Sequence, residues 1–402
     1  MKSRLLLASL TAATTALLAS CAQQLARPEP APSRLPPPAQ IAPAPKPEIA
    51  PAAPMGSEMQ IALLLASRGP YAGPAEMIRD GFLAALYAQN GTKPSVRIYD
   101  TGGSPDAVRQ AIRRAVSDGA SFVVGPLQKD LVAATASQGT PPVPMLALNY
   151  LEPNQSAPGN FYELGLAPED EARAAAEQAI AGGLRRAAAL TPSDNWGERI
   201  LAAFSRRMQE LGGEIVTAQR YTGIADISQP IRAMMGIPES EERKAAVAAV
   251  LGKLEYEPRR RNDLDFVFLA AHAEQGRLII PQLRFNRLGT LPVFATAQVF
   301  DNGTGDADLS GLRSCDMPMM LGSGGRYAAL RGQLNDVMPG RSREQQRLFA
   351  LGYDAYQLIG FLRGGPLPSG GGFPAASGDL GMGANGAITR TLTCGSLARS
   401  SS

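Results

Sequence analysis

Histidine occurs once in these 402 residues, at His272, and cysteine three times, at Cys21, Cys315 and Cys394. Nucleophilic catalysis of the Ser-His or Cys-His kind needs a base beside the nucleophile, and a lone His272 at a strand end offers no evident partner. No helical HExxH and no paired CxxC spacing suggests zinc. The string Gly381-Met382-Gly383-Ala384-Asn385-Gly386 fits G-x-G-x-x-G literally. It neither follows a strand signal nor opens a helix, so it reads as a flexible turn before the terminal strand rather than a dinucleotide site. The expectation is no catalytic group, no metal and no cofactor, hence no enzyme.

Cys21 is the exception, because its surroundings prepare it for modification. Met1-Lys2-Ser3-Arg4 carries two positive charges, and an apolar stretch runs from Leu5 to Leu18. That is a signal-peptide pattern, too short to span a bilayer comfortably. It ends in Leu18-Ala19-Ser20-Cys21, a lipobox, so cleavage is expected after residue 20 and lipidation on Cys21. Residue 22 is alanine and not the aspartate that favours inner-membrane retention, which directs the expectation to the outer membrane, periplasmic face. In that oxidising compartment Cys315 and Cys394 are either a disulfide tying the C-terminal tail to the body or two buried thiols. Geometry decides between them, and spacing alone does not.

Net charge is +3, with basic and acidic residues mixed along the chain, and no block of like charges suggests a nucleic-acid partner. The densest basic cluster, Arg259-Arg260-Arg261, is flanked by Glu255, Glu257, Asp263 and Asp265 and makes a poor phosphate site. Residues 22–57 alternate alanine and proline and cannot bury a core. As a tether from residue 21 to 57 they would reach on the order of 100 Å if fully extended.

The elements that must position any site begin at Met59. Gln60–Leu65 reads as a buried parallel strand, followed by a helical pattern through Met77, Phe82, Leu86 and Tyr87. Strands at Val96–Tyr99, Phe122–Val124 and Met145–Leu148 alternate with helices at Pro105–Ser117 and Lys129–Ser137. After Phe161–Leu164 the rhythm restarts, through a helix opened by Pro168-Glu169-Asp170-Glu171 and strands at Ala187–Leu190, Glu214–Tyr221, Phe266–Ala270 and Leu291–Phe294. Gln345–Leu362 is a long final helix, and Ala387–Leu392 a terminal strand. Such alternation implies βαβ units, and its repetition implies an α/β protein of two doubly wound parallel-sheet lobes.

A cleft between two such lobes lies outside the carboxyl ends of their strands. The residues expected there are Ser67, Tyr71, Gly125, Leu127, Asn149, Ser193 and Trp196, with Tyr353 and Asp354 on the last helix, and the ligand they suit is small and polar. Plainer roles compete at each position. Ser193 or Asp194 can cap the following helix, Trp196 can pack, and Tyr353 and Asp354 can be a helix's core face and its solvated edge.

Ile61–Leu65, Gly69-Pro70-Tyr71-Ala72-Gly73, Gly81–Ala85 and Val123-Val124-Gly125-Pro126 together resemble the opening strand, ligand loop, helix and turn of the type I periplasmic binding-protein fold, that of branched-chain amino-acid receptors. The resemblance implies three crossings between lobes. Lobe 1 is then about 58–165 with 296–365, and lobe 2 about 166–295 with 366–402. Three later segments sharpen it: Leu254–Asp263 with Asp265–Ala271, Leu312–Pro318, and Leu348–Tyr356. These resemble the C-terminal domain of the outer-membrane lipoprotein activators of penicillin-binding proteins (LpoA/LppC type). That implies a partner, a class A penicillin-binding protein or bifunctional peptidoglycan synthase, which the lipoprotein stimulates. Well-known members carry a helical-repeat domain between lipid and this domain, and here the proline-rich tether is expected in that place. The alternative is a lipid-anchored solute receptor of an amino-acid-type ABC transporter. The segment Ile237–Asp263 favours the activator, because solute capture does not need such an insert.

Overall fold

A computed structural model describes residues 55–396 apart from 224, 226, 254, 302–308, 322–326, 365–366 and 368–371. Cys21, the expected signal peptide and nearly all of the expected tether lie outside these residues. The chain folds as strands β1 (Gln60–Leu65), β2 (Ser95–Asp100), β3 (Phe122–Val124), β4 (Met145–Ala147) and β5 (Phe161–Glu163), joined by helices α1 (Ala72–Ala88), α2 (Pro105–Ser117) and α3 (Lys129–Ala136). Their parallel sheet has the order β2-β1-β3-β4-β5. β1 is central and buried from its second residue onward, which is why its sequence is a continuous apolar run. Local chemistry fixes α2: Ser104 accepts from the Ala107 N–H, Pro105 opens the first turn, and Val108, Ala111 and Ala115 face the core.

The second sheet repeats the pattern. Helix α4 (Glu169–Ala181) leads into β6 (Arg186–Pro192), α5 (Asn195–Glu210), β7 (Glu214–Tyr221), α6 (Ser228–Met235), α7 (Ile237–Leu251), β8 (Phe266–Leu269), α8 (Ala273–Phe285), β9 (Val293–Ala295) and β10 (Arg313–Asp316). The order is β7-β6-β8-β9-β10, with an antiparallel edge strand β14 (Thr393–Ser396) against β10. Both sheets therefore share one doubly wound order, and strands β6 to β10 are all parallel. Phe204, Phe266, Phe268 and Phe294 fill one face of this sheet.

Helices α9 (Ala328–Val337) and α10 (Arg343–Gly364) and the small antiparallel sheet β11 (Phe373–Ala375), β12 (Gly378–Met382) and β13 (Ile388–Thr391) complete the fold. α10 lies directly on α1. A Cβ on Gly81 would stand 1.9 Å from the Phe349 carbonyl oxygen, and one on Gly352 1.9 Å from that of Ile78, so reciprocal glycines let the backbones touch.

Strand pairing corrects the expected lobe boundaries. The expected first lobe includes residues 296–316, but β10 pairs with β9 and belongs to the second sheet. The expected second lobe includes residues 366–391, yet Phe373, Ala375, Leu380 and Ile388 pack into the core of β1, β3 and α10. The chain passes between the two sheets near residues 164–168, 316–317 and 391–393. The expected terminal strand Ala387–Leu392 is β13, paired with β12, and a further strand, β14, follows it and crosses to β10. Gly381 and Met382 belong to β12 and residues 384–386 form a 3-10 turn, so the glycine string is an ordered hairpin connection held by Gly383 N–H on Ala387 at 2.7 Å.

Candidate functional site

The three passages between sheets meet around one partly open cavity of about 380 Å³. Leu166 and Pro168 line it from the first passage, Asp316 and Met317 from the second, and Arg390 and Leu392 from the third. His272 and Gln298, at the ends of second-sheet strands, and Glu344 and Arg347, from the first turns of α10, complete the wall.

Charge dominates this region. Arg347, on α10, reaches across to the second sheet and donates to Asp316 at 2.9 and 3.2 Å, to Asp301 at 2.7 Å and to the Ala297 carbonyl at 3.4 Å. Arg343 adds a bond to Asp316 at 3.1 Å. Burial pushes the Asp316 carboxyl up, but Arg347 and Arg343 outweigh it and hold the group below its ordinary value. Arg347 shows the converse: burial disfavours its charge, and Asp316, Glu171 and Asp301 more than restore it. A second pair crosses nearby, where Arg390 of β13 donates to Asp170 of α4 at 2.7 and 3.0 Å. The side chains of this pair are 3% and 5% exposed, so the bond is a buried one. Glu171 accepts from the Ala297 N–H at 2.7 Å and from the Gln298 amide at 3.4 Å. Burial drives its carboxyl up to about 8, with Arg347 opposing and Asp316 assisting. Carboxylates and guanidiniums so closed on one another hold elements together.

A wider cleft of about 1020 Å³ opens on the other side of Leu166–Pro168. Lys129 at the start of α3, with Asn149 and Tyr150 beyond β4, faces Asn195, Arg199 and Arg206 of α5 across it. Asn149 is fixed by donating to Leu127 at 3.1 Å and accepting from the Tyr150 N–H at 2.9 Å. Trp196 stacks on His272 with ring centroids 4.7 Å apart, at the point where the second sheet's winding reverses.

The nine expected cleft residues therefore do not converge. Ser67 donates to Asp100 at 2.5 Å and lines a separate shallow cavity of about 490 Å³. Tyr71 is 43% exposed at the start of α1. Gly125 is buried where a Cβ would stand 2.1 Å from the Leu64 carbonyl oxygen, and half-buried Leu127 packs against the first core. Ser193 is exposed with its N–H on Tyr221, and Asp194 supplies the cap of α5 by accepting from the Gly197 N–H at 2.8 Å. Half-buried Tyr353 packs within the first lobe. Asp354 is fully buried and accepts from the Ala376 and Ser377 N–H groups at 2.8 and 2.6 Å. Burial raises its carboxyl to about 6 against those bonds, and its place is the core, where it anchors the β11–β12 turn. Cys315 and Cys394 face each other across β10 and β14 and are bonded. Sequence reasoning missed Glu171, Asp301, Asp316, Arg347 and Arg390. One signal was present: Arg347 occupies the apolar face of α10 together with Ala350, Leu351, Asp354, Ala355 and Leu358, at three- and four-residue steps.

Fold and site define a two-lobed domain of the periplasmic binding-protein class whose three crossovers are locked by buried ion pairs. The family described as "LppC putative lipoprotein" matches residues 54–394, and the chain belongs to that family. It is 31% identical over 313 residues to "Penicillin-binding protein activator LpoA" of Vibrio antiquarius, a match covering 75% of this chain and 51% of that protein. The chain thus spans about half the length of the curated relatives it matches. Its fold is similar to the C-domain of LpoA (YraM) from Haemophilus influenzae, "a regulator of PBP1A", with a TM-score of 0.65 at 24% identity, covering 84% of this chain and 97% of that one. A protein from Chromobacterium violaceum, described as "a putative branched-chain amino acid ABC transporter", superposes with the same TM-score and identity, covering 84% of this chain and 99% of that one. Fold alone therefore does not separate the two functional readings.

Proposed function

We propose that this protein is a lipid-anchored regulator that binds a class A penicillin-binding protein and stimulates its peptidoglycan synthesis. In this reading Cys21 carries the lipid and the protein faces the periplasm from the outer membrane. The observation that carries the choice over a receptor is the locked crossover region. A solute receptor works by hinge closure, in which the connections between lobes absorb the backbone change. Here Arg347 and Arg390 bind second-lobe acids across those connections, and buried charge opposes any relative movement of the lobes. A rigid two-lobed body suits a docking platform, and the names of the family's curated relatives agree with it.

The test is glycan polymerisation by class A penicillin-binding proteins of the same organism, with and without the full chain purified in detergent. Stimulation of one synthase, with a complex recovered on size exclusion, supports regulation. Active synthases that neither respond nor associate sink it. The receptor reading draws on the polar cleft of about 1020 Å³ between Asn149 and Arg199. A thermal-shift screen of amino acids would support it by a ligand-dependent rise in the unfolding temperature that Asn149→Ala removes.

A further inference from the structure

Helix α7 is a 15-residue element of which only Ile237 and Ser240 are buried. Its second half reads Ala245-Ala246-Val247-Ala248-Ala249-Val250-Leu251, and nothing among the described residues covers it. Val250 is 82% and Leu251 70% exposed. An isolated helix of this length is marginal in water, and apolar side chains add nothing to it until something buries them. The positions are ordered as well. Arg243, Lys244, Val247, Val250 and Leu251 fall at steps of three and four, so two cations and three apolar groups form one continuous stripe.

The stripe borders an open groove of about 1030 Å³ between α7 and the loop that follows it. That loop is held in place: the Tyr256 hydroxyl donates to the Ser240 carbonyl at 2.5 Å, and the Arg259 and Arg261 N–H groups bond to Ser240 and Met235 at 3.0 and 2.8 Å. The groove is lined by Arg243, Lys244, Arg259, Arg260, Arg261 and Arg287, against Glu255 and Glu257 alone. Two of these cations are paired, Arg261 with Asp263 and Arg287 with Glu257, while Glu241 of α7 turns to Arg232. Neither Arg243 nor Arg259 has a carboxylate partner among the described residues. Each face sets six cations against Glu255, Glu257 and Asp263, so two copies would oppose net positive charge to net positive charge, self-pairing is disfavoured and the complement is acidic.

We propose that the α7 stripe and its basic groove are the docking surface for the synthase, receiving an apolar segment flanked by aspartate or glutamate. The mode is that of a helix face read through anchors at i, i+3 and i+4, with the groove cations fixing orientation. This inference rests on the regulator reading and adds to it the surface and the chemistry of the contact.

The test measures binding of the full chain, in detergent, to the purified class A synthase by biolayer interferometry. Val250→Asp with Leu251→Asp is expected to weaken binding at least tenfold and leave the unfolding temperature unchanged. Val337→Asp, another exposed valine placed on α9, is expected to bind as wild type. Arg243→Glu with Arg259→Glu is expected to weaken binding and flatten its decline as salt rises from about 50 to 300 mM. If the aspartate pair unfolds the protein, the glutamate pair alone decides. Equal binding by all variants overturns the inference and leaves the regulator reading standing. No binding by wild type removes both. Wild-type self-association that Val250→Asp with Leu251→Asp abolishes overturns it too, by making the occupant a second copy.

Discussion

Around the crossovers Asp170, Asp316, Arg347 and Arg390 are charged and almost wholly buried, whereas on α7 Val247, Val250 and Leu251 are apolar and open to water. Neither arrangement is what transfer free energies favour on their own. The buried charges are tolerated because each is paired at close range, and the pairing joins elements that belong to different sheets. The exposed apolar groups have no such compensation within the described residues. One region is thus complete in itself, and the other gains its stabilisation only from a partner. Substitutions at the crossovers should therefore register as loss of stability, and substitutions on α7 as loss of binding.

The sharpest way to break that contrast is Asp316→Ala. It leaves Arg347 and Arg343 buried with their main acceptor gone, and removal of one partner from a buried pair costs about 3–5 kcal/mol. Urea unfolding followed by circular dichroism should show a loss of that order. A loss under about 1 kcal/mol would mean the crossovers are wetter and looser than their geometry indicates, and the case for a rigid platform would weaken with it.

A somewhat smaller effect is expected from Cys315→Ser with Cys394→Ser. The bridge joins residues 79 apart and ties β14, the last described strand, to β10. Its removal should cost about 2–4 kcal/mol, mostly by freeing the unfolded chain. If amide exchange then rises only in β14, the bridge guards the tail. If it rises through β10 and around Asp316 as well, the bridge is part of the crossover lock.

Much of this fold was legible from periodicity because both sheets bury their central strands on two faces and cover them with amphipathic helices. β1, β3, β6 and β8 are continuous apolar runs, and α2 and α5 carry their own caps at Ser104 and Asp194. The lobe boundaries were not legible, because a four-residue strand such as Arg313–Asp316 holds no periodic signal, and its sheet is decided by which neighbour it pairs with. The site was legible only in part for a related reason. Residues at strand ends were identified from topology, but Ser67, Asn149 and Asp354 are partnered within their own lobe. The crossover charges come from segments far apart in sequence, Asp170 with Arg390 and Asp316 with Arg347, and only tertiary contact discloses such pairs.

The mildest test of the comparison uses pH. Burial raises Glu171 from an ordinary 4.5 to about 8, so the folded protein holds this proton more tightly than the unfolded chain does. The stability it contributes is complete below pH 4.5 and is lost as pH rises through about 8. Asp354, raised to about 6, acts in the same direction but has finished titrating by about pH 7. Asp316 is shifted the other way, and its contribution disappears only in acid as pH falls through its lowered folded value. Between about pH 7 and 8.5 the slope therefore belongs to Glu171 among these three carboxyls, at no more than about 1.4 kcal/mol per pH unit. Urea midpoints should fall across that window in wild type and stay level in Glu171→Gln, which keeps an oxygen for the Ala297 N–H. Equal slopes in both proteins would place Glu171 in contact with water and leave the lock to the two arginine pairs alone. No comparable pH dependence is expected of Val250→Asp, whose new carboxylate stands in solvent.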